Sequence, residues 1–175
     1  MDENEHHKEV FAYFGLAMYT AQVLEHGIVN ALVSCDLIPN QRHKAKSLQD
    51  WSLEVDQFMD GHFENTMARL IKSFQKFTIT SDELEQSLVA SLKMRNLLAH
   101  RYFRERADVW FTKEGRSSMI AELQSAKELF DKTDQLITDL IRPLLHRHGL
   151  TDERLRTLEE EYLINIVGGV QNKKL

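Results

Sequence analysis

Apolar residues recur every three or four positions along most of the chain, a spacing that predicts long amphipathic helices. The first predicted helix runs from about Glu5 to Ser34, and Ile38-Pro39-Asn40 ends it and opens a polar loop. The second helical region covers roughly Leu48 to Phe77, where Asp60-Gly61 is expected to kink or split the helix. Most of the first half of the chain is therefore expected to be helical.

A third helix carries the clearest start signal. Thr80 and Glu83 have the spacing of a capping box, with Thr80 as N-cap and Glu83 at the third helical position. Ile79 and Leu84 lie where a hydrophobic staple would place them. This helix is predicted to continue beyond Tyr102.

Two further helices complete the predicted fold. A long fourth helix is capped by Thr112 and ends near His148-Gly149, and a short fifth helix starts at Thr151. Together the five helices predict an all-α helical bundle that forms one domain over residues 1–167, followed by a disordered tail over residues 168–175. The length of the fourth helix favours a homodimer, because it exceeds what a small monomer needs.

Composition narrows the class of protein. Only two prolines and seven glycines occur in 175 residues, which favours long helices over strands and turns. The single cysteine, Cys35, excludes a disulfide framework and a cysteine-rich zinc site, and it favours a reducing, cytoplasmic location. The most apolar stretch, Phe11–Val33, contains polar residues that a membrane span would bury at high cost, so no membrane association is expected. The net charge of −5 argues against architectural DNA binding but is compatible with a compact RNA site.

The segment Lys93–Arg106 is interpreted as the only strongly basic window of this acidic chain and as its functional centre. Its sequence, KMRNLLAHRYFRER, contains one lysine and four arginines but only one acidic residue, Glu105. Arg95, His100 and Tyr102 form an R-x4-H-x-Y pattern within it. The cations expected to contact RNA phosphates are Lys93, Arg101, Arg104 and Arg106.

Arg95 and His100 suit the cleavage of RNA without a metal ion. A histidine titrates near neutral pH and can move protons at the ribose 2′-hydroxyl or at the leaving oxygen. An arginine fork matches a phosphate and stabilises the charge that grows on it. Since no carboxylate cluster accompanies them, neither a metal nor a cofactor is predicted, and the expected product is a 2′,3′-cyclic phosphate. DNA, which lacks the 2′-hydroxyl, is expected to resist cleavage.

Helix geometry limits how these residues meet. Arg95 and His100 are separated by about 140° around the axis and about 7.5 Å along it, so they do not share one face of a straight helix. Asn96 and His100 are four positions apart and do share a face. Two copies of this helix that meet across a dimer would assemble one site from both chains.

The stretch Arg95–Tyr102, RNLLAHRY, resembles the R-x4-6-H signature of the HEPN superfamily and is most similar to the R-x4-H-x-Y form of HepT-like toxins. The helical layout is similar as well. The resemblance implies a helical bundle that dimerises through the signature helices and acts as a metal-independent endoribonuclease, either a toxin or a defence effector. It implies catalytic roles for Arg95 and His100 and an assisting role for Asn96. Tyr102 would then orient the site or accept AMP from a minimal nucleotidyltransferase antitoxin.

A non-catalytic interaction module is the alternative interpretation. The same helix would then bind a nucleotide or a protein partner, as inactive members of the superfamily lead one to expect. Such a module predicts no turnover, together with ligand binding that is lost on Arg95→Ala. The ribonuclease interpretation instead predicts that His100→Ala keeps the fold and abolishes cleavage.

Overall fold

The structure is a computed structural model that describes the backbone of residues 3–171 and the side-chain surroundings of residues 5–164, and every regular element in these ranges is helical. In chain order the elements are α1 (Glu3–Leu32), a π-helical turn (Val33–Leu37), α2 (Ile38–Gln41), a 3-10 turn (Arg42–Lys44), α3 (Leu48–Phe63), α4 (Met67–Phe77), α5 (Asp82–His100), α6 (Tyr102–Glu105), a second 3-10 turn (Val109–Phe111), α7 (Lys113–Arg147) and α8 (Asp152–Gln171). The predicted all-α helical bundle is confirmed, whereas the likeness to HEPN proteins stays a prediction.

The chain divides into two compact units, Met1–Leu140 and Ile141–Leu175. In the first unit α1 packs against α3, α4 and α5, and its inner face is fully buried at Ala17, Leu24 and Ile28. The largest buried side chains of the other helices include Phe74 of α4, Leu88 of α5 and Phe130 of α7. Each of these large apolar side chains contributes about 1.5–3 kcal/mol by leaving water. The prediction of a single domain over residues 1–167 stays a prediction.

The orientation of α5 is fixed by its contacts with α1. Glu25 of α1 pairs with Arg95 of α5, whereas Phe14, earlier in α1, packs against Phe103, just beyond the end of α5. The two helices therefore run antiparallel, and the C-terminal end of α5 lies beside the first half of α1. This arrangement holds the predicted signature helix in the body of the first unit.

The second helical region breaks later than predicted. α3 continues through Asp60-Gly61 and ends at Phe63. The side-chain amide of Asn65 donates to the Gly61 carbonyl oxygen at 2.9 Å. Because this bond satisfies a carbonyl group left open at the helix end, the chain leaves the helix at residues 64–66 rather than at the glycine.

α5 is capped one residue later than predicted. The hydroxyl of Ser81, not that of Thr80, accepts a hydrogen bond from the Leu84 amide at 3.2 Å. The Thr80 hydroxyl instead donates to the Glu85 carboxylate at 2.7 Å. The predicted staple is wrong, since Ile79 is 94% exposed. Two neighbouring residues could both serve as caps here, and the backbone selects the second.

The predicted start and end of α7 are confirmed. Thr112 caps the helix by accepting a hydrogen bond from the Gly115 amide at 3.0 Å. The helix ends at Arg147, and Gly149 follows with a positive φ of 79°, a conformation in which glycine carries no steric cost. Thr151 then caps α8 as predicted, by accepting from the Arg154 amide at 3.3 Å.

α8 is longer than the short fifth helix that was predicted. It spans 20 residues and ends at Gln171. Residues 168–171 of the predicted disordered tail are therefore helical, and residues 172–175 lie outside the described part of the chain. Within the second unit, Asp152 at the start of α8 accepts hydrogen bonds from Arg142 and His146, each at 3.4 Å.

We expect Gly115→Ala to lower the free energy of unfolding by about 1–3 kcal/mol, the usual cost of overpacking. A Cβ atom at this position would collide with the Val109 carbonyl oxygen and approach the Thr112 hydroxyl oxygen to 2.7 Å. Gly61→Ala is the matched control, because a Cβ atom there meets nothing within 4 Å and the helix should gain about 0.5–1 kcal/mol. Urea unfolding measures both, and equal stability of the two variants would contradict the close approach at Gly115.

Candidate functional site

Arg95 lies on the face of α5 that is turned toward α1. Its Nε donates to the Glu25 carboxylate at 2.8 Å, and the two side chains are only 28% and 20% exposed. This is the one hydrogen bond that the guanidinium makes among residues 5–164, so both terminal nitrogens remain available. Glu25 thus fixes the Arg95 side chain, while the two terminal guanidinium nitrogens, which a phosphate would contact, remain available.

His100 and Asn96 lie on the opposite, outward face of α5. Both are exposed, and within residues 5–164 neither side chain makes a hydrogen bond or an ion pair. They are one helical turn apart, as the sequence predicted. The imidazole and the amide are therefore free to contact a ligand.

A single chain does not bring Arg95 and His100 to one place. Arg95 is half-buried against α1, whereas His100 faces solvent, as expected for positions about 140° apart on a helix. The assembly of one site from two chains stays a prediction.

α5 ends at His100, so the prediction that it continues beyond Tyr102 is wrong. Arg101 adopts φ −139° and ψ −11°, outside the helical region, and α6 starts at Tyr102. The interruption has a physical reason in the packing that follows it. It turns Tyr102 into the core and sets Phe103 against Phe14 of α1, with ring centroids 4.9 Å apart.

Tyr102 is a buried core residue in the folded chain. Its hydroxyl donates to the Met119 carbonyl oxygen of α7 at 3.1 Å, and the side chain is 1% exposed. Burial, and then the nearby Glu122 carboxylate, raise the pKa of Tyr102 well above its ordinary value. Transfer of AMP to this hydroxyl would therefore require α6 to open away from α7, while a role in orienting the end of α5 requires no such change.

The predicted RNA-binding cations differ in availability. Arg106 makes two hydrogen bonds to the Glu122 carboxylate, at 2.9 and 2.5 Å, and this pair fastens α6 to α7. Arg101 pairs with Glu105 at 3.3 Å on the surface. Lys93 and Arg104 are exposed and have no ion-pair partner among residues 5–164. Of the predicted set, these last two are the best placed to meet a phosphate.

A second basic segment, absent from the sequence-based predictions, lies between α2 and α3. Arg42, His43, Lys44 and Lys46 are all exposed, and no carboxylate occurs between Asp36 and Asp50. The linear signal was present, but the segment lacks the histidine–arginine spacing that drew attention to α5. Lys93–Arg106 is therefore not the only basic window of the chain.

In the part of the chain that the structure describes, no three His, Cys, Asp or Glu side chains are grouped in a way that could hold a metal ion. None of the helices described there has both the length and the apolar character needed to cross a membrane.

Comparisons with protein-family models, with curated proteins and with solved structures found no match to this chain.

Proposed function

We propose that the protein is a metal-independent endoribonuclease that works as a homodimer, with each site built from Arg95 of one copy and His100 of the other. The observation that carries the proposal is the outward face of α5, where His100 and Asn96 are exposed and make no side-chain hydrogen bond or ion pair among residues 5–164. Within that part of the chain, no contact of the imidazole explains its presence at this position. Arg95, held by Glu25 through Nε alone, supplies a positioned cation for a phosphate.

In the proposed reaction His100 removes the proton from the ribose 2′-hydroxyl, and the 2′-oxygen attacks the adjacent phosphorus. The bond from phosphorus to the 5′-oxygen breaks, and the proton is finally delivered to that leaving oxygen. The products are a 2′,3′-cyclic phosphate and a 5′-hydroxyl. Arg95 stabilises the charge that grows on the non-bridging oxygens, and the Asn96 amide donates a further hydrogen bond.

An exposed apolar surface of α1 supports the dimer. Leu16, Tyr19 and Val23 of α1 are 40%, 64% and 38% exposed, an unusual row of apolar side chains on one helix face. Phe14 and Glu25 mark the side of α1 that faces α5 and α6, and the row lies about 120–180° around the helix from them. A second copy that covered this row would bury apolar surface on the side of α1 turned away from α5.

We further propose that the ribonuclease is a toxin or defence effector of the cytoplasm, with a minimal nucleotidyltransferase as antitoxin. This role follows from the resemblance of Arg95–Tyr102 to HepT-like toxins. The buried hydroxyl of Tyr102 adds a condition, since an AMP-transferring partner would have to reach it in an opened state. The half-buried thiol of Cys35, the only cysteine, suits a reducing compartment.

A non-catalytic interaction module is the second candidate, and the pairing of Arg95 with Glu25 favours it. In that case Arg95 and Tyr102 serve to hold the helices together, Arg95 through its ion pair with Glu25 and Tyr102 through its buried hydrogen bond to Met119, and the motif has no catalytic role. The two candidates separate in an assay of RNA and DNA of the same sequence with all divalent metal chelated. The ribonuclease cleaves the RNA alone. If folded, dimeric protein cleaves neither the RNA nor the DNA, the result supports the interaction module.

We expect Glu25→Gln to lower kcat of RNA cleavage about tenfold, because a small displacement of the Arg95 guanidinium misaligns it with the phosphate. KM should change less, since the variant keeps the cation. Glu25→Asp retains the charge and should recover part of the rate. Glu83→Gln, which removes an exposed partner of Lys132 elsewhere, is the matched control and should be unchanged. Equal rates for Glu25→Gln and wild type would show that Glu25 does not position Arg95.

A further inference from the structure

A pocket lies between the end of α2 and the start of α3. The chain passes from the 3-10 turn at Arg42–Lys44 into extended backbone at Ala45, and the Ser47 hydroxyl caps α3 by accepting from the Asp50 amide at 3.0 Å. The resulting open cavity of about 280 Å³ is lined by Arg42, Ala45, Lys46, Ser47, Leu48 and Trp51.

The charge around this pocket is positive and largely uncompensated. Arg42, His43 and Lys46 make no side-chain hydrogen bond or ion pair among residues 5–164, whereas Lys44 donates to Gln41 at 3.0 Å. In a chain of net charge −5, these cations form a local site of opposite sign. Such a cluster attracts a phosphate-bearing polyanion.

The pocket also has an apolar wall that a bare phosphate would not need. Leu48 is 90% exposed at the first position of α3, and Trp51, one turn later, is half-buried and lines the cavity. Aromatic side chains beside cations are the usual means of holding single-stranded nucleic acid, since unpaired bases stack on them while the cations meet the backbone.

We propose that this pocket binds an unpaired nucleotide of single-stranded RNA, with the base against Trp51 and Leu48 and the flanking phosphates at Arg42 and Lys46. The inference deepens the proposed ribonuclease function, on which its meaning as a substrate site rests. The pocket follows the C-terminal end of α1, the end that lies beside the start of α5, whereas His100 terminates α5. Since α5 has 19 residues and spans roughly 28 Å, the pocket would hold RNA several nucleotides away from the cleaved bond.

The first test measures the affinity of a short fluorescent single-stranded RNA by anisotropy, in a His100→Ala background so that no cleavage intervenes. Arg42→Gln/Lys46→Gln should weaken binding about tenfold and reduce the salt dependence of log K by about 1.4, as expected when two phosphate contacts are lost from a single strand. Lys72→Gln/Lys76→Gln removes the same charge from exposed positions of α4 and should stay within about twofold of the parent. Equal losses in both double variants would overturn the proposal.

The second test follows the fluorescence of Trp51 in a Trp110→Phe background, which leaves it as the one remaining tryptophan. Single-stranded RNA should quench the emission as a base stacks on the indole, and Trp51→Leu should weaken binding about tenfold. Emission unchanged by saturating RNA would contradict the proposal. So would equally strong competition by duplex RNA or by inorganic phosphate, because either would make the pocket a general anion site.

The two proposals fail separately. If wild-type protein cleaves no RNA but binds it through Trp51, the binding pocket is supported and the ribonuclease proposal is rejected. If RNA is cleaved and the Arg42→Gln/Lys46→Gln variant binds it as tightly as its parent, only the pocket is rejected.

Discussion

His100→Ala is expected to lower kcat/KM for metal-free RNA cleavage by about 10²–10⁴-fold, the usual contribution of a general acid–base residue. The fold should survive, because the imidazole is exposed and makes no hydrogen bond or ion pair among residues 5–164. Thermal unfolding should therefore change little while activity disappears. Rates measured on wild type and variant under the same chelated conditions provide the comparison.

His146→Ala is the control for this result. His146 is also exposed, but it interacts with Asp152 in the second unit and lies outside the proposed site. It should cleave RNA at the wild-type rate. If His100→Ala and His146→Ala had the same activity, His100 would have no part in the chemistry.

Mixing two inactive chains should restore activity. Arg95→Ala and His100→Ala homodimers each lack one half of every proposed site, so both are expected to be inactive. A mixed dimer of one chain of each kind contains one site with both residues intact and one with neither. Because a two-fold dimer has two equivalent sites, it should recover about half of the wild-type activity.

The mixed dimer is isolated with two different affinity tags, and its activity is compared with that of the same two proteins kept separate. Recovery in the mixed dimer alone supports the shared site, and a dimer of two Arg95→Ala chains carried through the same procedure shows the background. A mixed dimer as inactive as its parents would mean that each site takes both residues from one chain, contrary to their placement on opposite faces of α5.

Local signals predicted the helices well where one residue had one role. Thr112 was identified as a cap because no competing cap lies beside it, and the positive φ of Gly149 follows the predicted helix end. Thr80 and Ser81 were harder, since either hydroxyl could cap the same helix. The interruption at Arg101 had no local signal at all, because arginine is a good helix former and tertiary packing of the following aromatic residues imposes the break.

In the candidate site, the sequence predicted what depends on local helical spacing but not the contacts between distant helices. The outward pair Asn96 and His100 follows from helical spacing alone. The partner of Arg95 does not, because Glu25 is 70 positions away and only the fold brings the two together. Arg106 was predicted to contact RNA because it adds positive charge to the segment, but its guanidinium is bound by the Glu122 carboxylate of α7. Pairing across helices decides which cations remain available, and a linear pattern does not contain that information.

The most direct measurement is the chemistry of the RNA ends that wild-type protein produces with divalent metals chelated. The account predicts fragments that carry 2′,3′-cyclic phosphates and 5′-hydroxyls, since the 2′-hydroxyl is the nucleophile and His100 moves the proton. Fragments with 3′-hydroxyls and 5′-phosphates would contradict it, because those ends require attack by water or another nucleophile. Intact RNA after incubation with folded, dimeric protein would contradict it as well.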